Sequence, residues 1–365
     1  MKRVAVIIPF GKTWGGGGGS ERRYARIAEF ISKNYSNFRI YFVLSGKQKP
    51  INNFVDQFLS SWPEDQIIPV DDSNILSHLR SANYDIVQFV NVNRRLFFLY
   101  RKLGSIESRI VLALNDYYIA SGEASFSANL AFKNLSKHCD VINCLYPGYL
   151  PRLSNLVKQT GIKEPLIEES PVSFTDLDSF KPSPEKNNEI VFAARLEKGK
   201  NPILFLEVVS KAREIILSKN YKVIICGNGK LYKKVLTKIR VMNLSKLIDL
   251  KAEAKMENVF PTSKIFFSIQ QMDNYPSQSL IEAISCGNFI IATCVGNTRL
   301  MIDNSFGDLV EPTVESMVTS LSGALSRLEN RENSEEIIRK ARNHALQNFI
   351  IDKQGSQVAD IWERL

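Results

Sequence analysis

The sequence predicts an α/β protein built from two doubly wound parallel-sheet domains. Continuous apolar runs alternate with helical or irregular segments along the chain, as expected for buried parallel strands joined by crossovers. The chain has 365 residues, 44% of them hydrophobic, which is enough for two domains with separate cores. The fraction of charged residues, 23%, argues against a largely disordered chain.

The first half contains five candidate strands. The first, Arg3 to Pro9, leads into a glycine run, and helical spacing of apolar residues follows from Tyr24 to Ile31. A stretch from 171 to 188, rich in prolines and turn residues, reads as a linker, so we predict domains at 1–180 and 181–349. The other four strands are predicted at Arg39 to Ser45, Tyr84 to Val90, Arg109 to Leu114 and Asp140 to Leu145.

The second half repeats the alternation. Asn201 is placed to cap a helix with Pro202 at its first position, and we predict that this helix continues to Ser218. Further helices are predicted from Leu231 to Val241, Val314 to Leu328, Ser334 to Asn348 and Gln354 to Leu365. Strands are predicted at Ile190 to Ala194, Tyr221 to Cys226, Ile265 to Ile269 and Asn288 to Thr293.

Two loops offer groups that bind anions. The glycine run that includes Gly18 and Gly19 leaves backbone N–H groups uncovered before a helix, which suits either a phosphate cradle or a flexible surface hairpin. Arg195 and Lys200 stand five positions apart across a tight strand-to-helix turn. They can converge on one anion, or they can belong to a solvated basic loop.

A third loop lies between the strand ending at Ile269 and a helix predicted from Ser279 to Ser285. In crossover units, ligands sit beyond the carboxyl ends of the strands, and the free N–H groups of a helix start favour anions. Glu282 lies about one turn into this helix and could accept hydroxyl protons from a ligand. The alternative is a buried helix start with a solvated glutamate.

The run PSQSLIEAISCG, followed by an apolar strand and VGNT, resembles the sugar-nucleotide signature of retaining glycosyltransferases of the family 4 type, the glycosyl transferases group 1. That resemblance implies the GT-B fold, in which two Rossmann-like domains face each other across a cleft. It also implies that the helix at about 350–365 packs back on the first domain. Two positions depart from the family pattern, because Asn274 replaces an acid and Asn115 replaces a histidine.

The resemblance also implies roles for individual residues. Arg195 and Lys200 would stabilise the departing diphosphate, and Glu282 would hold the ribose hydroxyls. Asn274, with the backbone of Tyr275 to Ser277, would meet the hexose hydroxyls. The predicted nucleotide-sugar-binding residues are Gly18, Gly19, Asn115, Gly227, Tyr275, Pro276, Ser277, Ser279 and Leu280.

The implied reaction moves a hexose-type sugar from a UDP- or GDP-sugar to a hydroxyl acceptor, with retention and without metal or cofactor. Assembly of surface polysaccharide or glycolipid, with a lipid-linked glycan as acceptor, is the expected setting. Two alternatives stay open: a sugar-nucleotide 2-epimerase of the same fold, and a catalytically silent sugar-nucleotide-binding protein. The chain has three histidines, which disfavours the epimerase because that reaction needs acid–base groups.

Charge and cysteine content indicate partners and compartment. A net charge of +9 favours anionic partners, but no nucleic-acid recognition motif accompanies it, so we predict no nucleic-acid binding. Five cysteines without C-x-x-C spacing fit a reducing compartment, and no apolar run is long enough to span a membrane. We therefore predict a cytoplasmic protein. The segment Arg94 to Lys102 could contact an anionic membrane face, or it could be a buried helix with basic ends.

Overall fold

The computed structural model describes residues 1–10, 19–46, 48–158 and 164–365. They form two compact units, which we call unit 1 (Met1–Pro171 with Ile351–Leu365) and unit 2 (Val172–Ile350). The chain thus passes between units after Pro171, earlier than the predicted boundary at 180–181. No helix in the described ranges has the length and hydrophobicity needed to cross a membrane.

Unit 1 contains a seven-stranded sheet whose strands pair in parallel, in the order β3-β2-β1-β4-β5-β6-β7. The central strand β1 pairs with β2 on one side and β4 on the other, and its residues from Val4 to Ile8 are fully buried. Burial on both faces explains why this strand reads as a continuous apolar run. The strands are β1 (Lys2–Pro9), β2 (Phe38–Ser45), β3 (Ile67–Val70), β4 (Ile86–Phe89), β5 (Arg109–Leu114), β6 (Val141–Cys144) and β7 (Leu166–Glu169).

Helices cover the sheet of unit 1, and the last helix of the chain is one of them. Its residue Trp362 is fully buried and donates from Nε1 to Oε1 of the buried Gln88, 3.1 Å away. Lys2 also donates from Nζ to the carbonyls of Trp362 and Glu363. The helices of unit 1 are α1 (Gly19–Asn34), α2 (Gln48–Phe54), α3 (Ile75–Ala82), α4 (Phe97–Tyr100), α5 (Tyr117–Ser121), α6 (Phe126–Ser136), α7 (Leu150–Lys158) and, after the six of unit 2, α14 (Ile351–Arg364).

Unit 2 contains a six-stranded parallel sheet in the order β10-β9-β8-β11-β12-β13. Its core is rich in aromatic side chains, and the ring of Phe205 stacks on Phe192 at 4.9 Å. The two parallel sheets with their helices confirm the predicted fold class. The strands are β8 (Glu189–Ala193), β9 (Lys222–Cys226), β10 (Ile248–Lys251), β11 (Ile265–Ser268), β12 (Phe289–Thr293) and β13 (Gly307–Val310).

The helices of unit 2 follow the predictions except at one place. The helix predicted from Pro202 to Ser218 is broken at Ala212, and Asn201 takes a left-handed conformation whose side chain does not cap the first turn. That side chain instead accepts a bond from Nε2 of Gln271. The helices are α8 (Pro202–Lys211), α9 (Arg213–Ser218), α10 (Tyr232–Val241), α11 (Gln278–Ser285), α12 (Val314–Glu329) and α13 (Arg331–Asn348).

Candidate functional site

The strand order of unit 2 reverses between β8 and β11, which lie side by side at the centre of the sheet. The chain leaves β8 towards β9 and leaves β11 towards β12, on opposite sides. In open parallel sheets, ligands bind in the crevice where the connections part in this way. The loops that leave the carboxyl ends of β8 and β11 hold Arg195, Lys200 and Asn274, so this crevice is the candidate site.

A glycine turn after β9 supports the loop that carries Arg195. Leu196 donates its N–H to the carbonyl of Asn228, and its own carbonyl accepts from Leu231. Gly227 has φ +142°, and a Cβ there would strike the carbonyl of Ala194. The predicted site residue Gly227 therefore lets two backbone segments pack tightly at the crevice edge.

Lys200 joins the two loops of the crevice. Its Nζ donates to Oδ1 of Asn274 at 2.7 Å and to Oε1 of Gln270 at 2.8 Å. Gln270 is buried, and Thr293 at the end of β12 fixes its backbone by bonding both its N–H and its carbonyl. The ammonium of Lys200 is thus held in place by two neutral amide oxygens.

Electrostatics at Lys200 favour loss of its proton. Burial, and then the positive charge of Arg195, lower the pKa of Lys200 to about 8, while the Glu197 carboxylate acts in the opposite direction. Arg195 lies at the surface, with 61% of its side chain exposed and Nη1 3.9 Å from the Glu197 carboxylate. The two predicted cations are therefore close enough to repel each other, as expected of groups gathered around one anion.

Asp273 fixes the loop that carries Asn274 by bonding to Tyr275 and Asn297. Its Oδ1 accepts the N–H of Tyr275, and its Oδ2 accepts both the N–H and Nδ2 of Asn297, at 3.0 and 2.9 Å. Gly296 has φ +52°, and a Cβ at this position would strike the Asp273 carboxylate. The acid next to Asn274 therefore fixes the loop, while Asn274 itself bonds Lys200.

The start of α11 contains the remaining predicted residues of unit 2. Tyr275, Ser277 and Leu280 are buried, whereas Pro276 and Ser279 are half-buried. The side chain of Ser277, at the N-cap, makes no capping bond; its Oγ lies 3.4 Å from that of Ser279.

Glu282 is half-buried one turn further along α11. Its Oε1 accepts from Nε2 of Gln278 at 3.1 Å, and the same amide donates to the carbonyl of Phe174. The contact with Gln278 orients the carboxylate towards the N-terminal turn of the helix, the turn that faces the crevice.

Asn115 and Gly19 belong to unit 1. Asn115 follows β5, donates from Nδ2 to the carbonyl of Val90 after β4, and accepts from Nη2 of Arg23 on α1. Burial lowers the pKa of Arg23, while Tyr24, Tyr146 and Glu21 act in the opposite direction. Gly19 is the first residue of α1, and Gly18 lies outside the described residues.

Sequence reasoning brought Lys200 and Asn274 to one site but did not find Gln270. A signal existed, because Gln270 is a polar residue directly after the apolar run of β11. Strand-end polar residues of neighbouring parallel strands meet at one edge of the sheet.

No group of three or more His, Cys, Asp or Glu side chains within the described part of the chain is arranged to hold a metal ion.

Residues 173–344 match the protein family described as glycosyl transferases group 1. The matched range covers nearly all of unit 2, including the loops after β8 and β11 and the start of α11. Unit 2 therefore matches the glycosyl transferases group 1 family over most of its length, and the crevice described above lies within the matched range.

A relative among curated proteins shares a short segment. Over 75 residues, the chain is 35% identical to the Campylobacter jejuni GalNAc-alpha-(1->4)-GalNAc-alpha-(1->3)-diNAcBac-PP-undecaprenol alpha-1,4-N-acetyl-D-galactosaminyltransferase. The segment is 20% of this chain and 21% of the relative, so the match spans about a fifth of the relative's length.

Solved structures resemble the whole chain. HepE of Anabaena, in complex with UDP and glucose, superposes with a TM-score of 0.76 at 13% identity and 100% coverage of both chains. The pneumococcal O-GlcNAc transferase GtfA, in complex with UDP and GlcNAc, gives 0.71 at 11% identity, covering 100% of this chain and 99% of the other. At such identities the likeness shows the fold alone, which is the GT-B fold of glycosyltransferases.

Proposed function

We propose that this protein transfers a hexose-type sugar from a nucleoside diphosphate sugar to a hydroxyl acceptor, with retention of anomeric configuration and without a metal ion. The observation that carries the proposal is the Lys200 bridge at the switch point of a glycosyl transferases group 1 domain. A fixed cation at that place suits a ligand that becomes more negative as it leaves.

The diphosphate would be stabilised by charge and by helix N–H groups. Lys200 acts as a positioned point charge, and Arg195 adds a planar, exposed guanidinium at the mouth of the crevice. The N-terminal turn of α11 presents backbone N–H groups of Ser279 and Leu280 to the same region. Because these donors are in place before reaction, they stabilise leaving-group charge without rearrangement.

The sugar and the ribose would be held by different residues. Asn274 offers an amide that donates and accepts, so its Nδ2 remains available to a hexose hydroxyl while Oδ1 bonds Lys200. Glu282, oriented by Gln278, would accept from the ribose hydroxyls. That Asn115, which bonds Val90 and Arg23, binds the sugar stays a prediction.

The relatives support the choice of donor and acceptor. UDP accompanies a sugar in both structural neighbours, and the Campylobacter jejuni relative is named for a glycan on undecaprenyl diphosphate. We propose a UDP- or GDP-sugar as donor and a lipid-linked glycan as acceptor, in assembly of surface polysaccharide or glycolipid. With such an acceptor, we further propose that the enzyme acts at the cytoplasmic face of the cell membrane, with the segment Arg94 to Lys102 near the anionic surface.

The test is a donor screen with lipid-extract acceptors. Each UDP- and GDP-sugar is incubated with the protein, and nucleotide release and labelled glycolipid are measured. Release that requires the acceptor supports transfer. Binding without release, measured by calorimetry, identifies a silent sugar-nucleotide binder, and acceptor-independent conversion of the donor sugar identifies an epimerase. Either of these last two outcomes overturns the proposal.

A further inference from the structure

Most of the apolar residues between Arg94 and Lys102 belong to the core. Leu96, Leu99 and Tyr100 are buried, and the ring of Tyr100 packs edge-on against Phe89 of β4. Only Phe98 projects outwards, with 72% of its surface exposed. The segment taken alone therefore offers one aromatic side chain, too little apolar surface for a docking site.

Helix α6 supplies the missing surface. Phe126 is 82% exposed, and Leu130, one turn later, is 37% exposed. Lys133 continues the same stripe, since residues three or four positions apart share one face of a helix. The opposite face, with Phe132 and Leu135, is buried. This helix is anchored by one face and presents an apolar and cationic stripe on the other.

The two surfaces are neighbours. Arg94, at the start of the segment that carries Phe98, donates from Nη1 to Oγ of Ser127 at 3.3 Å, and Ser127 follows Phe126 directly. The rings of Phe97 and Phe98 also pack edge-on against each other, with their centroids 5.6 Å apart. Phe98, Phe126 and Leu130 thus belong to one exposed area on unit 1.

The charge around this area is positive. Residues 94–137 contain seven Lys and Arg but three Asp and Glu. Arg95 and Arg109 are paired, with Asp72 and Asp140. For Arg101, Lys102 and Lys133, no ion pair occurs with any residue the structure describes.

We propose that Phe98, Phe126, Leu130, Arg101, Lys102 and Lys133, which we call the α4–α6 patch, dock unit 1 on an anionic lipid surface. Exposed aromatic residues enter the interface between headgroups and acyl chains, while neighbouring cations attract anionic headgroups. Positive charge around aliphatic and aromatic side chains matches that surface in both respects. The inference extends the proposed function by naming the residues that would bring the site to a lipid-linked acceptor.

The test measures co-sedimentation of the full-length protein with vesicles, without sugar nucleotide or acceptor. Equal parts of phosphatidylglycerol and phosphatidylcholine should bind the protein, and phosphatidylcholine alone should not. Binding should fall when salt is raised from about 0.1 M to about 1 M, because the screening length falls from about 10 Å to about 3 Å. Vesicle binding is independent of turnover, so failure here and failure of the proposed transfer are distinguishable.

Variants test the patch itself. The double variant Phe98→Ser and Phe126→Ser should lose about tenfold or more in vesicle binding. In the wild type, each ring would move from water into the membrane interface, and this burial stabilises the bound state. Leu346→Ser, an exposed leucine on α13 of unit 2, is the matched control and should bind like the wild type. A second double variant, Arg101→Ser with Lys102→Ser, should also bind vesicles more weakly than the wild type. It should preserve the fold, because both residues are exposed.

Three results would overturn the proposal. The first is equal binding, or no binding, to anionic and neutral vesicles. The second is wild-type binding by both double variants. The third is a concentration-dependent dimer that the phenylalanine variants abolish, which would assign the patch to a second copy of the chain.

Discussion

The ammonium of Lys200 lies 2.7 Å from Oδ1 of Asn274, at the position where the related signature has an acid. An acid would neutralise the cation and raise its pKa, whereas an amide only accepts a hydrogen bond. Burial, and then the charge of Arg195, lower the pKa of Lys200 to about 8, and position 274 holds no carboxylate to oppose them.

Removing either cation of the crevice should slow turnover. Arg195→Ala and Lys200→Ala should each lose about 2 to 4 kcal/mol of transition-state stabilisation, with a smaller loss of donor binding. Steady-state kinetics and calorimetry on each variant measure both quantities. Lys198→Ala removes an exposed cation of the same loop and is the control. Near-wild-type rates in both variants would remove the pair from the mechanism.

Turnover should fall as pH rises through the pKa of Lys200. The protonated form is the one that stabilises the diphosphate, and half of it is lost at about pH 8 in the free enzyme. A plot of kcat/KM against pH should therefore descend on the alkaline side near that value. An alkaline limb that persists unchanged in Lys200→Ala would belong to another group.

Restoring an acid at position 274 should move that limb. Asn274→Glu places a carboxylate beside Lys200, which raises its pKa and carries the descending limb to higher pH. We also expect turnover or sugar preference to change about tenfold, equivalent to about 1.4 kcal/mol. Asn274→Ala should lose sugar discrimination while nucleotide binding persists. If both variants match the wild type over a panel of donors, Asn274 does not contact the sugar.

The loop that carries Asn274 should depend on a glycine more than twenty positions later. Gly296→Ala adds a Cβ at φ +52°, against the Asp273 carboxylate, so it should cost about 1 to 3 kcal/mol of stability. Thermal unfolding and donor affinity are the measurements, and both should fall. Gly323→Ala, where a Cβ meets nothing within 4 Å inside α12, is the control. An unchanged melting temperature would show that Asp273 does not hold the loop.

Lys186 should make stability depend on pH. Its Nζ donates to the carbonyl of Ser263, and burial lowers its pKa from 10.5 to about 7, although the Cys286 thiol opposes this and Lys264 reinforces it. Between these two pKa values the unfolded chain holds the proton that the folded protein releases, so the free energy of unfolding rises with pH.

In Lys186→Met, the free energy of unfolding should rise less with pH than in the wild type. Denaturant titration at several pH values between the two pKa values measures this. Lys181→Met, an exposed lysine of the same segment, should keep the wild-type slope. Identical slopes in all three proteins would mean that Lys186 is protonated in the folded state.

The strands that sequence reasoning missed are the edge strands. The continuous apolar runs predicted the interior strands, because both faces of those strands are buried. β3, β7, β10 and β13 have four residues each and lie at the sheet edges, where partial exposure interrupts the apolar pattern. Length and periodicity give no signal for such strands, since only their pairing partners define them.

The sequence allowed candidate site residues to be named from residue type and spacing, but it did not reveal the contacts that depend on packing. The proximity of Arg195 and Lys200 could be predicted from their spacing across a strand-to-helix turn. The role of Gln270 could not, because it depends on β8 and β11 being neighbours. Asn201 has a typical capping side chain, but its contact with Gln271 holds it in a different conformation. For the basic segment Arg94 to Lys102, sequence periodicity could not separate its buried residues from Phe98.

Trp362 lies on a helix of unit 1 that is synthesised only after the whole of unit 2. The whole of unit 2 emerges from the ribosome between Pro171 and the helix that buries this indole against unit 1. At about 5 to 20 residues per second, the first sheet waits on the order of ten to forty seconds for its last helix. During that interval the apolar surface that Trp362 later covers is open, while unit 2 is still being synthesised. We therefore expect the nascent chain to expose apolar surface of unit 1 until the last helix emerges, and slow codons before residue 351 would prolong that exposure.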